Sequence, residues 1–403
     1  MNKTPIVTLA AFSLLLGACI KNEPANTECD IEAVSLHLDK PTDYFYHDYD
    51  TMQTVISTET NIIFTIRSYS DVQSVPTTLR ITPGATAFLK ADDGTFLPFL
   101  NGSSIDFSGE KVHRFHVVSE DKAWARNYTL SVVHDKPSEG NFSVDFASYH
   151  LDETGKYYIW DAPEVLTDGV WKNGNPGFKI SKSSAKPMDY PSTPAVGEGP
   201  DGSDCVKLET CDTGPFGKMV NMRLASGSMF NGIFDVGNAL KDPLKATQFG
   251  SPFVHKPVQM RIWVRYEPGP VFQDRDGNPV EGIIDEPDLY VVLYRNEDPD
   301  GNKVQPDGND MLTNPYIVGK GRLAHNLDAE GKDVISATPI HGLKNEWQEV
   351  IIPIQYTTEL DTEILKNKGY SIIISLASSW QGGYFQGAIG SKLFLGKMQL
   401  FCE

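Results

Sequence analysis

Short runs of alternating apolar and polar residues, separated by turns, recur along almost the whole chain of 403 residues. The chain contains 34 glycines, 26 prolines and 10% aromatic residues, whereas its longest helical pattern covers only residues 357–368. Successive side chains of a strand point to opposite faces of a sheet, so alternating runs between turn residues indicate antiparallel strands. We therefore predict an all-β chain. Two domains are expected, because one core seldom supports this length.

The first residues indicate export. Lys3 precedes an apolar run over residues 6–16, and the sequence LGAC then ends at Cys19. An apolar stretch this short behind a positive charge is typical of a secretory signal and is too short to cross a bilayer. The sequence LGAC resembles the lipobox of bacterial lipoproteins, which implies cleavage before Cys19 and attachment of diacylglycerol to its thiol. An ordinary signal peptide that happens to contain Cys19 is the alternative.

This resemblance predicts a signal peptide over residues 1–18 and a flexible, turn-rich tether over residues 19–30. It also predicts an outer-membrane lipoprotein, at the cell surface or on the periplasmic face, whose membrane contact is the lipid anchor alone. The formal net charge is −18 at pH 7. Such a charge repels phosphate groups, which argues against nucleic acid and anionic membrane surfaces as partners. A neutral or cationic partner is easier to accommodate.

The strand pattern divides after residue 136. Residues 31–136 are predicted to form one sandwich domain, residues 137–141 are a polar linker with proline and glycine, and residues 142–403 form a larger domain. Runs predicted as strands in the first domain cover residues 33–38, 61–67, 86–90, 111–118 and 127–133. Those in the second cover residues 206–209, 217–223, 258–266, 289–295, 347–354, 371–376 and 392–401.

The first domain contains the motifs ITPGA at residues 81–85, IDFS at 105–108, FHVVSED at 115–121 and YTLSV at 128–132. Together these motifs resemble the immunoglobulin-like modules of Bacteroidetes surface lipoproteins. The resemblance implies an immunoglobulin-like sandwich over residues 31–136 that acts as a spacer.

A longer series of motifs lies in the second domain. It comprises WKNGN at residues 171–175, GKMVNMR at 217–223, ASGSMFNGIF at 225–234, GSPF at 250–253, KPVQM at 256–260, SIIISLASS at 371–379 and GAIGSKL at 387–393. The series resembles the putative carbohydrate metabolism domain family of Bacteroidetes lipoproteins. This resemblance implies a jelly-roll sandwich similar to carbohydrate-binding modules, with a role in glycan handling and no established catalytic residue. Ala377 and residues 395–397 depart from the family pattern.

Two turn segments carry the residue types that a glycan site needs. Aromatic rings stack on the C–H faces of sugars and planar polar side chains bind their hydroxyl groups. Trp171, Trp380 and Tyr384 are the candidate stacking platforms, and Asn173, Asn175 and Gln381 are the candidate hydroxyl-binding groups. In the alternative interpretation these aromatic residues fold back and cap their own sandwich. Trp263 lies on a predicted strand and is expected in the core.

Two acidic loops are candidate calcium sites. Asp274 and Asp276 lie in DRDGN, and Asp298 and Asp300 lie in DPDGN. Closely spaced carboxylates are typical calcium ligands, but Asp-Gly-Asn is equally typical of a hairpin turn. Calcium is therefore a weak candidate, and no other cofactor is expected. Five cysteines show no zinc-binding spacing, and free thiols are favoured over disulfides.

The sequence favours a lipid-anchored, surface glycan-binding protein involved in carbohydrate capture or metabolism, with a neutral oligo- or polysaccharide as partner. A glycoside hydrolase with a carboxylate pair in the jelly-roll cleft is the main alternative, because spatial pairs of acids cannot be read from a sequence. An adhesin or fimbria-like structural protein that acts through an exposed strand edge is the third.

Overall fold

The computed structural model describes residues 24–68, 70–135, 140–166, 169–323 and 343–403. Cys19, the expected signal peptide and most of the expected linker lie outside these ranges. Residues 24–30 have no regular secondary structure, and Asn26 and Asp30 are hydrogen-bonded to Glu120 and Tyr128 of the first sandwich. Within the described ranges, no helix is both long and apolar enough to cross a membrane.

The first part of the chain is built from nine strands. They are β1 (Ile31–Leu36), β2 (Met52–Thr54), β3 (Asn61–Ile66), β4 (Val75–Ile81), β5 (Thr86–Lys90), β6 (Phe96–Pro98), β7 (Ser103–Ile105), β8 (His113–Val118) and β9 (Ala125–His134). One sheet has the order β2-β1-β4-β7 and the other β3-β9-β8-β5-β6. All pairs are antiparallel except β3 with β9. Three short 3-10 helices cover Pro41–Asp43, Asp48–Thr51 and Ser108–Glu110.

The two sheets share one core, which includes the buried side chains of Phe45, Phe64, Phe115 and Tyr128. Phe64 on β3 and Phe115 on β8 alternate with more exposed residues, because each strand faces the core on one side and solvent on the other. The predicted sandwich is present. Its specific assignment as immunoglobulin-like stays a prediction.

The second part of the chain begins at β10. Its first ten strands are β10 (Phe142–Val144), β11 (Tyr149–Leu151), β12 (Tyr158–Asp161), β13 (Val170–Trp171), β14 (Ser192–Ala195), β15 (Cys205–Glu209), β16 (Cys211–Asp212), β17 (Leu224–Ala225), β18 (Ser228–Phe230) and β19 (Gly232–Phe234). The remaining strands are β20 (Thr247–Phe249), β21 (Ser251–Pro252), β22 (Pro257–Glu267), β23 (Phe272–Gln273), β24 (Asp288–Arg295), β25 (Ile317–Arg322), β26 (Gln348–Pro353), β27 (Gln355–Tyr356), β28 (Tyr370–Ala377), β29 (Gly387–Ala388) and β30 (Lys392–Cys402). The helices are α1 (Asn175–Ser181), α2 (Gly214–Met219), α3 (Pro243–Ala246) and α4 (Thr362–Lys366), with 3-10 helices at Pro187–Asp189 and Gly382–Tyr384.

Two six-stranded sheets form the body of this domain. The first has the order β14-β15-β30-β22-β26, with β10 also on β30, and the second has the order β18-β28-β24-β25-β27, with β21 also on β28. Their facing sides share a core that includes Ile262, Leu395, Val291 and Ile374. The prediction of an all-β, sandwich-type fold is confirmed.

The second sheet is covered on its other face as well. Tyr290, Val292 and Tyr294 of β24 pack there with Phe230 and Phe249. Burial on both faces explains why β24 and β28 read as nearly continuous apolar runs rather than as alternating ones.

Two sequence predictions in this domain are wrong. Residues 217–223 were expected to form a strand, but they contain the end of α2 and a turn with Asn221 at φ +56°. Pro215 in the first turn of α2 favours the helix, because its missing N–H needs no partner there. Trp263 was expected in the core, but it is 37% exposed, because its neighbours Ile262 and Val264 face the core and alternation turns Trp263 to the other face of β22.

Side-chain contacts join the two parts of the chain. The Lys368 ammonium group lies 2.5 Å from the Asp135 carboxylate and 4.9 Å from the ring centre of Tyr46. The Tyr49 hydroxyl donates to the Asn296 carbonyl at 3.3 Å. These contacts place the first sandwich at the end of the second domain where β24 ends and β28 begins.

Candidate functional site

The first candidate segment is part of the protein interior. Trp171 is 1% exposed and packs in the core, with its ring centre 5.9 Å from that of Phe146. A ring in this position cannot stack on a sugar that approaches from solvent. The prediction that Trp171 is a stacking platform is therefore wrong, and the alternative of a core residue is correct.

The two asparagines near Trp171 are also internal. Asn175 is fully buried, its amide donates to the Ser192 carbonyl at 2.9 Å, and its carbonyl accepts from the Ser192 N–H at 3.1 Å. Asn173 is 4% exposed and accepts the Asn175 N–H. Both side chains thus satisfy backbone groups around β14, and their predicted role in sugar binding is wrong in this geometry.

The second candidate segment, here called the Trp380 loop, covers residues 378–388 between β28 and the end of β29. Tyr384 is 42% exposed, Gln381 is half-buried, and Trp380 is only 8% exposed. Trp380 is thus not the open platform that was expected, whereas Tyr384 presents its ring to solvent. The guanidinium group of Arg275 covers the next ring, that of Phe385, at 5.6 Å.

A buried carboxylate holds this loop in place. Oδ2 of Asp285 accepts hydrogen bonds from the Ser379 hydroxyl at 2.6 Å, the Ser391 hydroxyl at 2.7 Å and the Ala388 N–H at 2.8 Å. Asp285 is 1% exposed, and burial raises its pKa to about 6 although these hydrogen bonds act in the opposite direction. The site is therefore anchored by a carboxylate that no solvent reaches.

Hydroxyl groups extend this anchor. Thr210 Oγ1 lies 2.8 Å from the Ser378 hydroxyl and 2.5 Å from that of Ser379, and Ser226 Oγ accepts the Ser379 N–H at 3.1 Å. The Tyr266 hydroxyl donates to the Ser378 carbonyl at 3.1 Å. Four separate segments thus fix the start of the Trp380 loop, so the residues that follow are positioned by a rigid base.

Two further acids lie beside the loop. Glu286 is 8% exposed and Asp288, the first residue of β24, is 5% exposed. The Trp380 N–H donates to the Glu286 carbonyl at 2.9 Å, so the acids and the loop run side by side. We call residues 285–288 the acidic segment.

Asp288 lies on the outer face of the second sheet. Leu289 and Val291 belong to the core between the sheets, so alternation places Asp288 with Tyr290 on the opposite face. Arg322, at the end of β25, donates to both oxygens of Asp288, each at 2.8 Å. A two-point pair of this kind fixes the directions of both side chains.

The two acidic loops fold as tight turns. Asp274 accepts the N–H and the side-chain amide of Asn278, and Asp298 does the same with Asn302. Asp276 accepts from the Asn221 amide at 3.3 Å, while Asp300 is in the turn itself. In the described part of the chain no group of three or more acid, histidine or cysteine side chains could hold a metal ion. The Asp274 and Asp298 carboxylates therefore stabilise tight turns, which is the hairpin-turn alternative, and nothing in this geometry favours calcium.

The sequence reasoning missed Glu286, Asp288 and Arg322. One signal was present in IDEPD at residues 284–288, where three acids lead directly into an apolar strand. Acids at the entrance of a buried strand are seldom solvated side chains, because the strand carries them into the interior. Arg322 gave no comparable signal, since only the pairing of β24 with β25 brings it to Asp288.

Comparison with known proteins agrees with this architecture. The model of the putative carbohydrate metabolism domain family matches residues 145–401. A search of the curated proteins gives no match.

Two solved structures resemble the chain. One is a putative glycoside hydrolase from Bacteroides thetaiotaomicron, with 28% identity and a TM-score of 0.72 over 95% of this chain and 99% of that chain. The other is a putative glycoside hydrolase from Bacteroides vulgatus, with 27% identity and a TM-score of 0.54 over 65% of this chain and 98% of that chain. The first similarity extends across both parts of the chain.

Proposed function

Because the chain belongs to the putative carbohydrate metabolism domain family, we propose that it binds a neutral oligo- or polysaccharide at the Trp380 loop and the acidic segment. A carbohydrate-related function follows from the family. Binding without bond cleavage, and the location of the site, are the parts we propose.

One observation carries the proposal: an exposed aromatic ring and an amide stand on a rigid loop directly beside buried acids. Tyr384 supplies the ring, Gln381 the amide, and Glu286 and Asp288 the acids. In the described residues no hydrogen bond engages the Gln381 amide or the Tyr384 hydroxyl, and both are available to a ligand. A surface tyrosine with an open ring face is the side chain that a pyranose ring stacks on.

The chemistry of the acids suits hydroxyl groups. Carboxylates accept hydrogen bonds from sugar hydroxyls, while the Arg322 guanidinium group donates to sugar oxygens. Because Arg322 fixes Asp288 at two points, both groups are preorganised and lose little side-chain entropy on binding. A neutral glycan brings no charge that the surface of this acidic chain would repel.

A glycan array tests the proposal. The unmodified chain should bind a set of neutral glycans, and Tyr384→Ala and Arg322→Ala should each reduce that signal strongly. Trp263→Ala is the matched control, since Trp263 is a similarly exposed aromatic residue on the opposite sheet. Equal signals for the chain and all three variants would contradict the assigned site, and absence of any glycan signal would contradict the function.

A specific observation also supports hydrolysis as a second candidate. Glu286 and Asp288 are two nearly buried acids, two positions apart in the chain and beside the Trp380 loop, and glycosidases use a pair of neighbouring carboxylates. Two of the solved structures that are similar to the chain carry the name putative glycoside hydrolase. Arg322 would have to release one Asp288 oxygen before that carboxylate could act. Release of reducing sugar by the unmodified chain, lost in Glu286→Gln, would favour hydrolysis, whereas binding without release favours the leading proposal.

We also propose that diacylglycerol on Cys19 anchors the chain in the outer membrane, at the cell surface or on the periplasmic face. The lipobox-like sequence LGAC supports this placement. Incorporation of an alkyne-labelled fatty acid should occur in the native chain and be lost in Cys19→Ala. Labelling that persists in the variant would contradict the anchor.

A further inference from the structure

The outer face of the five-stranded sheet in the first domain carries one row of side chains that crosses all five strands. The pairing of β3 with β9 aligns Asn61 with Thr129, and that of β9 with β8 aligns Thr129 with Arg114. Continuing the register of β5 with β8 places Lys90 opposite Arg114, and β6 aligns Phe96 with Lys90. At about 4.8 Å between strands, the row is about 19 Å long.

These five residues line one surface concavity of about 380 Å³, together with Thr60 and Asn127. Its floor is formed by Phe115 and Tyr128, which are 1% and 2% exposed and belong to the core. Because the floor is made of packed core residues, the shape of the concavity is fixed by the fold.

The charges in this row are unusual for the chain. Lys90 and Arg114 are exposed neighbours of the same sign, an arrangement that destabilises a sheet. In the described residues neither forms an ion pair with an acid, although the chain as a whole carries 53 acids against 35 basic residues. Asp93, in the turn between β5 and β6, instead accepts two hydrogen bonds from Thr95.

An aromatic ring completes the row at the β6 end. Phe96 is 43% exposed, and its ring centre lies 5.3 Å from that of His116. His116 Nδ1 lies 2.8 Å from Asn127 Oδ1, and the side chains of Thr129 and Asn61 are hydrogen-bonded to each other. The row thus has an aromatic ring at one end, two cations in the middle, and hydroxyl and amide groups at the other end. A ligand that fits it has an apolar face, an anionic group and hydroxyl groups.

We propose that this row is a second binding site, which takes an acidic oligosaccharide through its carboxylate groups. Arg114 and Lys90 bind the carboxylate, Phe96 stacks on a sugar ring, and Asn61 and Thr129 bind hydroxyl groups. This role is different from that of a spacer, and it does not depend on the site at the Trp380 loop.

Titration calorimetry with the full chain in detergent tests the site, with two matched probes. One is a trisaccharide of galacturonic acid, and the other is the same trisaccharide after reduction of its carboxyl groups to neutral galactose. The acidic trisaccharide should bind at least about tenfold more tightly than the neutral one, since a charge-assisted hydrogen bond contributes enough for that ratio. Equal affinities for the two probes would overturn the proposal.

Variants assign the binding to the row. Arg114→Ala, Lys90→Ala and Phe96→Ala should each weaken binding of the acidic trisaccharide by about tenfold or more. Arg80→Ala is the control, because Arg80 lies on the other sheet and is paired with Glu32 at 3.1 Å. Binding that is unchanged in Arg114→Ala, or lost equally in Arg80→Ala, would overturn the proposal.

Two further measurements distinguish binding at this row from misfolding of the variant and from binding at the Trp380 loop. Removing Arg114 relieves a like-charge contact, so the variant should melt at or above the melting temperature of the parent. A lower melting temperature combined with lost binding would indicate misfolding instead.

Asp288→Asn should leave the acidic trisaccharide bound as in the parent, which makes this site independent of the proposed function. Binding to anionic vesicles without binding to the trisaccharide would also overturn the proposal.

Discussion

The Asp285 carboxylate lies 2.6 Å from the Ser379 hydroxyl, although the two residues are 94 positions apart in the chain. This contact ties the acidic segment to the Trp380 loop. Asp285→Ala leaves two hydroxyls and two N–H groups without their buried acceptor, so we expect a loss of about 3–5 kcal/mol in the free energy of unfolding. Urea denaturation measures it, and Asp274→Ala, in an exposed turn, should lose less than about 1 kcal/mol.

Asp285 should also give the chain a characteristic pH dependence. Its pKa is raised from 3.8 to about 6 in the folded state by burial. The folded state therefore holds the proton more tightly, so this group's contribution to stability is full below pH 3.8 and is lost as the pH rises through 6. The difference in unfolding free energy between the parent and Asp285→Asn should fall from about pH 4 to about pH 7. A difference that rises over this pH range would contradict the raised pKa of Asp285.

Truncation of Trp171 and truncation of Tyr384 should differ in their effect on stability. Trp171→Ala creates a cavity in the core and should lower the free energy of unfolding by about 3–5 kcal/mol. Tyr384→Ala removes a ring that is 42% exposed and should change stability by less than about 1 kcal/mol while weakening glycan binding. Thermal melts of both variants make the comparison, and a large loss of stability in Tyr384→Ala would mean that its ring serves packing.

The contact between Lys368 and Asp135 should couple the two domains. Both side chains are only 20% exposed, so the pair is less screened than a surface pair, and a double-mutant cycle should give a coupling energy of about 1 kcal/mol. The pair of Lys366 with Glu363 is the control, because its side chains are 71% and 75% exposed and its coupling should be near zero. Similar coupling energies for the two pairs would contradict this interface.

Eleven of the thirteen described strands with five or more residues correspond to runs predicted from the sequence, because burial on one or both faces leaves a local pattern in strands of this length. The run at residues 86–90 corresponds to β5 without any change of boundary, and residues 371–376 fall within β28. The error at residues 217–223 arose because α2 begins at Gly214, upstream of the run, where Pro215 in the first turn favours a helix. Local pattern therefore predicts strands better than the packing of short helices.

The site was only partly predictable for a similar reason. Aromatic and amide residues in glycine-rich turns identified the loop with Gln381 and Tyr384, but the same composition at Trp171 belongs to a core residue. Exposure depends on tertiary packing, and the sequence cannot distinguish the two cases. The pairing of Asp288 with Arg322 joins residues on different strands, so it becomes visible only in the folded chain.

Titration calorimetry with the neutral glycan that binds most strongly on the array tests the central claim most directly. The parent chain, Tyr384→Ala and Trp263→Ala would be compared under one set of conditions. We predict that Tyr384→Ala weakens binding by about tenfold, the contribution of one stacked ring, while Trp263→Ala binds as the parent does. Equal affinities of the parent and Tyr384→Ala would contradict glycan binding at the Trp380 loop.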